Sequence, residues 1–428
     1  MKRILLLVVT ISLFGNIMAQ ENIWDDYLQG QAVKSIVFDN DYVWTATDSF
    51  LVRLNKVDLS TTYFPYPYTC EYDCAYKLNI DKNGVIWLSR SEYFPSGSNY
   101  YHRWSTIYTF AGNQWKEVKD LGYGLVSSMA LDKNDNQWIA TFGYNGLYKI
   151  EQDDICTQYT PENSGLIYDQ IAGVGSDNEG NIWIANYENT AVLHANIALI
   201  KYNGNEWISH NLGEGLSIMT MKIDNQGNPW LQSLNLLRKL DPISNTWTEI
   251  DLSNFPGTWL GGLMAIEGDN KLWISTSEYN EVDGRMDTGV AVYDGSDWSQ
   301  YSVSNSELPS DTVYQIAVDD DGTKWIATDQ GLAAFNENGL LSTAEHSKLM
   351  NDVVLYPNPA QDFITLKLPD GLQNSTVDIF NMQGRTMKSF NIINNNRNQL
   401  DVSSLSSGVY FVHIQSDEMR FTKKFIKQ

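Results

Sequence analysis

Cysteine is scarce in this chain, with three among 428 residues. None stands in Cys-x-x-Cys spacing, which argues against a thiolate zinc site. Cys70 and Cys74 lie close enough in sequence to form a small disulfide in an oxidising compartment, and Cys156 reads as a packed thiol. Histidine is nearly as rare: His102, His194, His210, His346 and His413 show neither His-x-x-x-His nor Glu-x-x-His spacing. No serine nucleophile elbow and no phosphate-binding glycine loop occurs. No catalytic residue, metal site or cofactor is therefore expected.

Long apolar runs are missing apart from one. Lys2 and Arg3 precede Ile4-Leu-Leu-Leu-Val-Val9, and Ile17-Met-Ala19 precedes Gln20, the layout of a cleaved secretory signal over residues 1–19. The run is too short to span a membrane comfortably, and nothing comparable follows, so a mature protein without an integral membrane segment is expected. Basic charge is also short: 29 Lys and Arg against 52 Asp and Glu leave a net charge of −23. Eight basic and seven acidic residues follow Met350, so the whole deficit sits before it. Such a field repels nucleic acid and anionic membranes and leaves neutral polymers, cations or proteins as partners. Solubility of an exported protein accounts for it equally well.

What the chain has in abundance is tryptophan at regular intervals. Trp44, Trp87, Trp138, Trp183, Trp230, Trp273 and Trp325 recur at spacings of 43 to 52 residues, a mean period of about 47. Each is preceded by an apolar run and an acidic turn, as in Asp81-Lys-Asn-Gly84, Asp177-Asn-Glu-Gly180 and Asp319-Asp-Asp-Gly322. Glycine, or Asn and Asp in its place, tolerates the left-handed backbone of a tight hairpin. Four short strands per unit of this length are the mark of propeller blades. Asp132-Lys-Asn-Asp-Asn136 has the oxygen-rich look of a calcium loop but lacks the distal Glu, and reads as a hairpin turn.

A second aromatic marks the outer strand of most blades: Trp115, Tyr159, Trp207, Trp247 and Trp298, with Tyr63 in the first. The seventh unit lacks one after Phe335, while Asn22-Ile-Trp24-Asp-Asp-Tyr27 supplies the pattern before the first. The ring is thus expected to close by lending its N-terminal strand to its last blade, which removes open sheet edges. The fold expected is all-β, with a seven-bladed β-propeller over 20–336, a polar linker over 337–351 and a second module over 352–428. That module alternates in period two over short strands and predicts an immunoglobulin-like β-sandwich.

Blades differ most between the Trp strand and the third strand. Long loops are expected in blade two (Ser91 to Arg103), blade four (Tyr187 to Asn196) and blade six (Ser277 to Thr288), crowning one mouth of the channel. Their residues, with the connector before blade two, make the candidate ligand-binding set: Tyr66, Tyr68, Tyr93, Phe94, Tyr100, Tyr101, Trp104, Tyr187, Tyr279, Asp283 and Arg285. Clustered tyrosines stack on sugars or anchor protein partners at low entropic cost, and loops on a rigid frame are where binding concentrates. Asp283 and Asp287 have the chemistry for glycosidic acid–base work, but surface acids are common in so acidic a chain. Three readings follow: a secreted or surface module binding glycan or protein, a polysaccharide lyase or hydrolase at the same mouth, and a non-catalytic scaffold.

Trp138-Ile-Ala-Thr141 with Gly146-Leu147, and Trp325-Ile-Ala-Thr328 with Gly331-Leu332, carry a family resemblance. The region from about Trp24 to Asn336 resembles the two-component-regulator propeller repeats, which read roughly Asp-x-x-Gly-x-Ile/Leu-Trp-Ile-Gly-Thr followed by Gly-Leu. It departs where Ala, Ser or Gln replaces the Gly two places after the Trp. Nutrient-sensing members commonly continue into a membrane span and a histidine kinase. This chain shows neither, so no direct signalling role is expected.

Tyr356-Pro357-Asn358-Pro359, Asn381-Met-Gln-Gly384, Leu405-Ser-Ser-Gly408-Val-Tyr410 and the basic end with Lys423 and Lys424 occur in order. This tail is similar to the type A C-terminal sorting domain of the type IX secretion system. The resemblance implies passage through the periplasm, recognition by the type IX secretion machinery, and a product that is secreted or attached at the outer-membrane surface.

Overall fold

The computed structural model describes residues 24–70, 74–96, 100–143, 145–187, 197–212, 218–233, 235–268, 270–280, 284–337, 354–368, 375–381, 386–392, 398–415 and 420–428. The expected signal sequence over 1–19, nearly all of the expected linker over 337–351, and Gly384 lie outside them. Every element among the described residues is a β-strand. The chain divides into two compact units, one of residues 1–55 and 60–340 and the other of residues 56–59 and 341–428.

The first unit is made of seven four-stranded antiparallel sheets. Blade one runs through Val33–Phe38, Tyr42–Thr47, Phe50–Asn55 and Thr61–Pro65 from inner to outer strand. The innermost strands touch in succession, and Val313–Val318 of blade seven touches Val33–Phe38 of blade one, which closes the ring. Gln315 clasps that junction. Its Oε1 accepts from Ser35 Oγ (2.8 Å) and Ile36 N (3.0 Å), and its Nε2 donates to the Ile36 carbonyl (2.8 Å). The outer strand of blade seven is Trp24–Tyr27, paired antiparallel with Leu332–Phe335, as the missing aromatic predicts.

The acidic turns do more than reverse the chain. Asp177 Oδ1 accepts from the amides of Glu179 and Asn181 at 3.1 and 2.8 Å, while Oδ2 accepts from Trp183 Nε1 at 2.9 Å. One carboxylate therefore sets the turn and satisfies the indole N–H that burial would otherwise orphan. The same indole bond joins Trp44 to Asp39, Trp87 to Asp81, Trp138 to Asp132 and Trp230 to Asp224, and Glu267 serves Trp273. Trp325 breaks the pattern: its buried Nε1 has no partner among the described residues. In blade three Asp135 takes the left-handed place (φ 59°) that Gly84 and Gly180 fill elsewhere (φ 76° and 85°).

The tryptophans pack between blades. Trp138 lies with Ile171 and Ile184 of the next sheet, and Trp44 with Leu78 and Ile86. Fully buried Lys324 crosses the blade six to seven boundary, paired with Glu337 and, at 3.3 Å, with Glu267.

The second unit contains two sheets. Val354–Tyr356, Phe363–Lys367 and Asn398–Asp401 make one; Thr386–Ile392, Ser375–Asn381, Gly408–Gln415 and Arg420–Lys427 make the other. Ile364, Leu366, Val377, Ile379, Val412, Ile414 and Phe425 fill the core between them. The alternation of apolar residues along these strands is what gives each sheet one buried face.

Candidate functional site

In each blade the connection between second and third strands emerges on the same side as the connection to the next blade. Two of the three expected loops there are continuous hairpins instead. In blade two, Ile86–Ser96 and Tyr100–Ala111 pair from Ile86 opposite Phe110 out to Ser96 opposite Tyr100. In blade six, Lys271–Asn280 and Gly284–Tyr293 pair out to Asn280 opposite Gly284. Long connections were expected to be loops because length and polarity suggested excursions. Aromatic residues that face long or polar partners in register, such as Tyr93 opposite Arg103 and Glu92 opposite Trp104, continue the ladder instead. Residues 188–196 of blade four lie outside the described residues.

Blade two supplies two strongly exposed aromatics on this face. Trp104 is 46% exposed although its Nε1 donates to Asp120 Oδ1 at 2.7 Å. Tyr123, on the outer strand Gln114–Tyr123, stands opposite it in register and is 47% exposed. Arg103 precedes Trp104 on the same strand, and its guanidinium lies 4.9 Å from the ring centre of Tyr93, one strand over, a cation–π contact. Phe142, the last residue of the blade-three Trp strand, is 41% exposed and packs 5.4 Å from Tyr187 of blade four. Burial pushes the Tyr187 phenol well up, and the positive charge of Arg103 opposes that shift. The Tyr187 hydroxyl itself has no hydrogen-bond partner among the described residues.

Arg103, Tyr93, Tyr187 and Phe142 thus form a strip across blades two to four, and Trp104 and Tyr123 pair on the other side of the blade-two sheet. Sequence reasoning missed three of them. Arg103 stands at the boundary of an expected loop, Tyr123 ends an outer strand, and Phe142 ends the Trp strand. An aromatic directly after Trp-Ile-Ala-Thr was the available signal for Phe142.

Tyr66 and Tyr68 belong elsewhere. Their rings stack at 5.2 Å, nearly parallel, and Tyr66 also packs on Tyr76 and Trp115. The Tyr66 hydroxyl lies 2.9 Å from the Phe50 carbonyl, and burial drives its pKa up. Tyr68 packs at 4.8 Å on Tyr108 under the Arg90 guanidinium. Both line the seam between blades one and two, where their flat faces cover one another and not a ligand. Phe94, Tyr100 and Tyr101 lie on the blade-two hairpin, and Tyr279 stands opposite Arg285 on that of blade six. Asp283 lies outside the described residues, as do the side chains of those five.

Cys70 and Cys74 are joined by a disulfide, with Cα atoms 6.5 Å apart. Together with Glu92 they place ligand-type atoms within 4.8 Å of one another, but sulfurs bonded to each other are not thiolates, the form that binds metal. Cys156 is a free thiol packed against the core that holds Trp87 and Ile150, its pKa raised by burial.

In the C-terminal unit, the Tyr356-Pro357-Asn358-Pro359 segment grips the last strand. Asn358 Oδ1 accepts from Ile426 N (2.9 Å), Ala360 N donates to Ile426 O (2.7 Å), and Gln428 N donates to Ala360 O (2.8 Å). Gly408 opens the strand that carries Tyr410, whose hydroxyl donates to Ser406 O at 3.0 Å and whose ring lies 5.6 Å from Phe425. Lys423 and Lys424 are on the terminal strand, their side chains outside the described set. Residues 354–428 match the family described as the secretion system C-terminal sorting domain. The chain ends in a secretion sorting domain. A sorting domain of the type IX system implies engagement with that secretion machinery, and secretion or attachment at the cell surface. No helix among the described residues is long and apolar enough to cross a membrane.

No curated protein matches the chain. Among solved structures it is similar to the extracellular domain of BT3049 from B. thetaiotaomicron, described as a hybrid two component system. The identity is 15% and the TM-score 0.55, over 95% of this chain and 57% of that one. It thus spans little more than half of that neighbour's length. Virginiamycin B lyase from Staphylococcus aureus is similar at 14% identity and a TM-score of 0.52, over 73% of this chain and 97% of that one. A streptogramin B lyase gives 14% and 0.53 over the same shares. At these identities the likeness is one of fold, the propeller.

Proposed function

We propose that this protein is a β-propeller, exported and then either attached at the cell surface or released, that binds a glycan through the aromatic strip of blades two to four. The observation that carries the reading is the run of Tyr93, Arg103, Tyr187 and Phe142 across blades two to four, with exposed Trp104 and Tyr123 on the adjoining side of the blade-two sheet. Flat rings present apolar faces to the C–H face of a sugar, while Arg103 and Asp120 offer hydrogen bonds at their edges. A neutral polymer also escapes the repulsion that the acidic ring imposes on polyanions. A protein ligand anchored by the same aromatics is the competing occupant.

The domain plan that goes with this is a signal over 1–19, a propeller over 20–336, a linker over 337–351 and a sorting domain over 352–428. The mature product begins at Gln20, and its sorting domain is removed on export. Titration of the full chain with a panel of neutral oligosaccharides tests the reading. Saturable binding that Trp104→Ala and Phe142→Ala both weaken tenfold or more supports it. Binding that neither substitution alters, or an absence of glycan binding with capture of a defined protein, overturns it.

A further inference from the structure

The innermost strands of all seven blades enclose a central cavity of about 300 Å³. Two lysines reach it, Lys77 from blade two and Lys222 from blade five, on nearly opposite sides of a seven-membered ring. No carboxylate lines the cavity among the described residues; its remaining titratable group is Tyr314, whose ring Lys34 covers at 4.3 Å. Lys34 has its own acid, Asp48, at 3.7 Å. Neither Lys77 nor Lys222 has an ion-pair or hydrogen-bond partner among the described residues, in a chain of net charge −23. Several lining hydroxyls are already committed: Ser127 Oγ donates to Ile171 O at 2.6 Å, and Ser35 Oγ is held by Gln315 and Leu78.

Lys77 is half-buried and Lys222 is exposed on the channel wall, so each ammonium keeps part of its water, but without a counter-ion both are disfavoured, and more so because they feel each other. Burial and then the charge of Lys222 push the Lys77 amine down to about 8, and burial lowers Lys222 too. Elsewhere the chain spends acids freely on its lysines, as with Lys239 on Asp224 and Lys324 between two glutamates. The channel pair is left to something that the chain itself does not supply.

We propose that the propeller channel is a binding site for a small oxyanion, held between the Lys77 and Lys222 ammonium groups. The site is distinct from the aromatic strip and does not depend on it. Two cations converging from opposite walls suit a doubly charged ligand, either an inorganic tetrahedral anion or a short dicarboxylate. The acidic exterior slows entry of anions, while the lumen field retains them, so the site selects small ligands over polyanions.

Calorimetric titration of the full chain at pH 8.5 with sulfate and with succinate, at constant ionic strength in chloride, tests this. Both probes are fully ionised there, so protons taken up on binding come to the protein. The expected result is saturable binding of at least one probe, with proton uptake seen as a dependence of heat on buffer, and weakening as pH rises above 8. Lys77→Met and Lys222→Met should each weaken binding at least tenfold. Lys77→Arg, which keeps charge at every working pH, should retain binding and lose most of the proton uptake. Absence of binding by both probes, or binding that both methionine variants keep, overturns the site. If the methionine variants fail to fold, the wild type and Lys77→Arg decide: binding without differential proton uptake overturns it as well.

Discussion

Trp24 stands directly opposite Phe335 in antiparallel register, ring centres 4.6 Å apart, joining the two ends of the propeller sequence in one sheet. Trp24 is 6% exposed and also meets Tyr301 of blade six edge-on at 5.3 Å. Trp24→Ala should therefore destabilise the ring by about 3–5 kcal/mol, the usual range for a buried tryptophan. The midpoint of denaturant unfolding checks this; an unchanged midpoint would mean that the closure carries little energy.

The indole bonds make a graded prediction. Trp183→Phe removes a bond to Asp177, whereas Trp325→Phe removes none, because Trp325 Nε1 has no partner among the described residues. The first substitution should cost about 1–3 kcal/mol more than the second. Equal costs, measured by paired urea titrations, would show that the turn carboxylates are indifferent to the indoles.

Acid should loosen the propeller through the same turns. Burial opposes ionisation of Asp132 and Asp224, but indole, amide and, for Asp224, Lys239 bonds outweigh it and hold both carboxyls below the ordinary value. Their stabilisation is complete above the unfolded carboxyl pKa of about 4 and is lost as pH falls through the lower folded value. Melting temperature should drop below about pH 4, and Asp224→Asn should flatten that drop while lowering stability at neutral pH.

Aromatic substitutions should separate the binding face from the frame. Trp104→Ala, alone or with Tyr100→Ala and Tyr101→Ala, should abolish ligand binding with a nearly unchanged melting temperature. Tyr66→Ala should lower the melting temperature by several degrees, since its ring is stacked inside the seam between two blades. A stable Tyr66→Ala variant that loses binding would return that residue to the ligand face.

Removing residues 353–428 deletes the sorting domain and should trap the product in the periplasm. Cell fractionation with antibody to the propeller reads this out. Normal appearance outside the cell would mean that another signal directs export. Asn358→Ala should act in the same direction but less completely, because it removes only the side-chain bond to the terminal strand.

Much of this was legible in the order of residues. The spacing of the seven tryptophans, the acidic turn before each and the stray aromatic at Trp24 are local signals, and each reports on a hairpin or a strand that forms from adjacent residues. Asp135 at the left-handed turn position shows how closely: a side chain that tolerates positive φ stands where its neighbours carry glycine. The blade-two excursion was less legible, because a polar, aromatic insertion has the same composition whether it wanders or pairs.

The sequence by itself determined the number of blades, the strand that closes them and the exported tail, since these follow from short-range periodicity and turn chemistry. Tertiary structure alone decided which aromatics are covered and which face water. A neighbouring blade buries Tyr66 and Tyr68, while nothing among the described residues covers Trp104 in the same way. It also decided that Lys77 and Lys222 share one cavity, because only closing the ring turns distant inner strands toward a common axis.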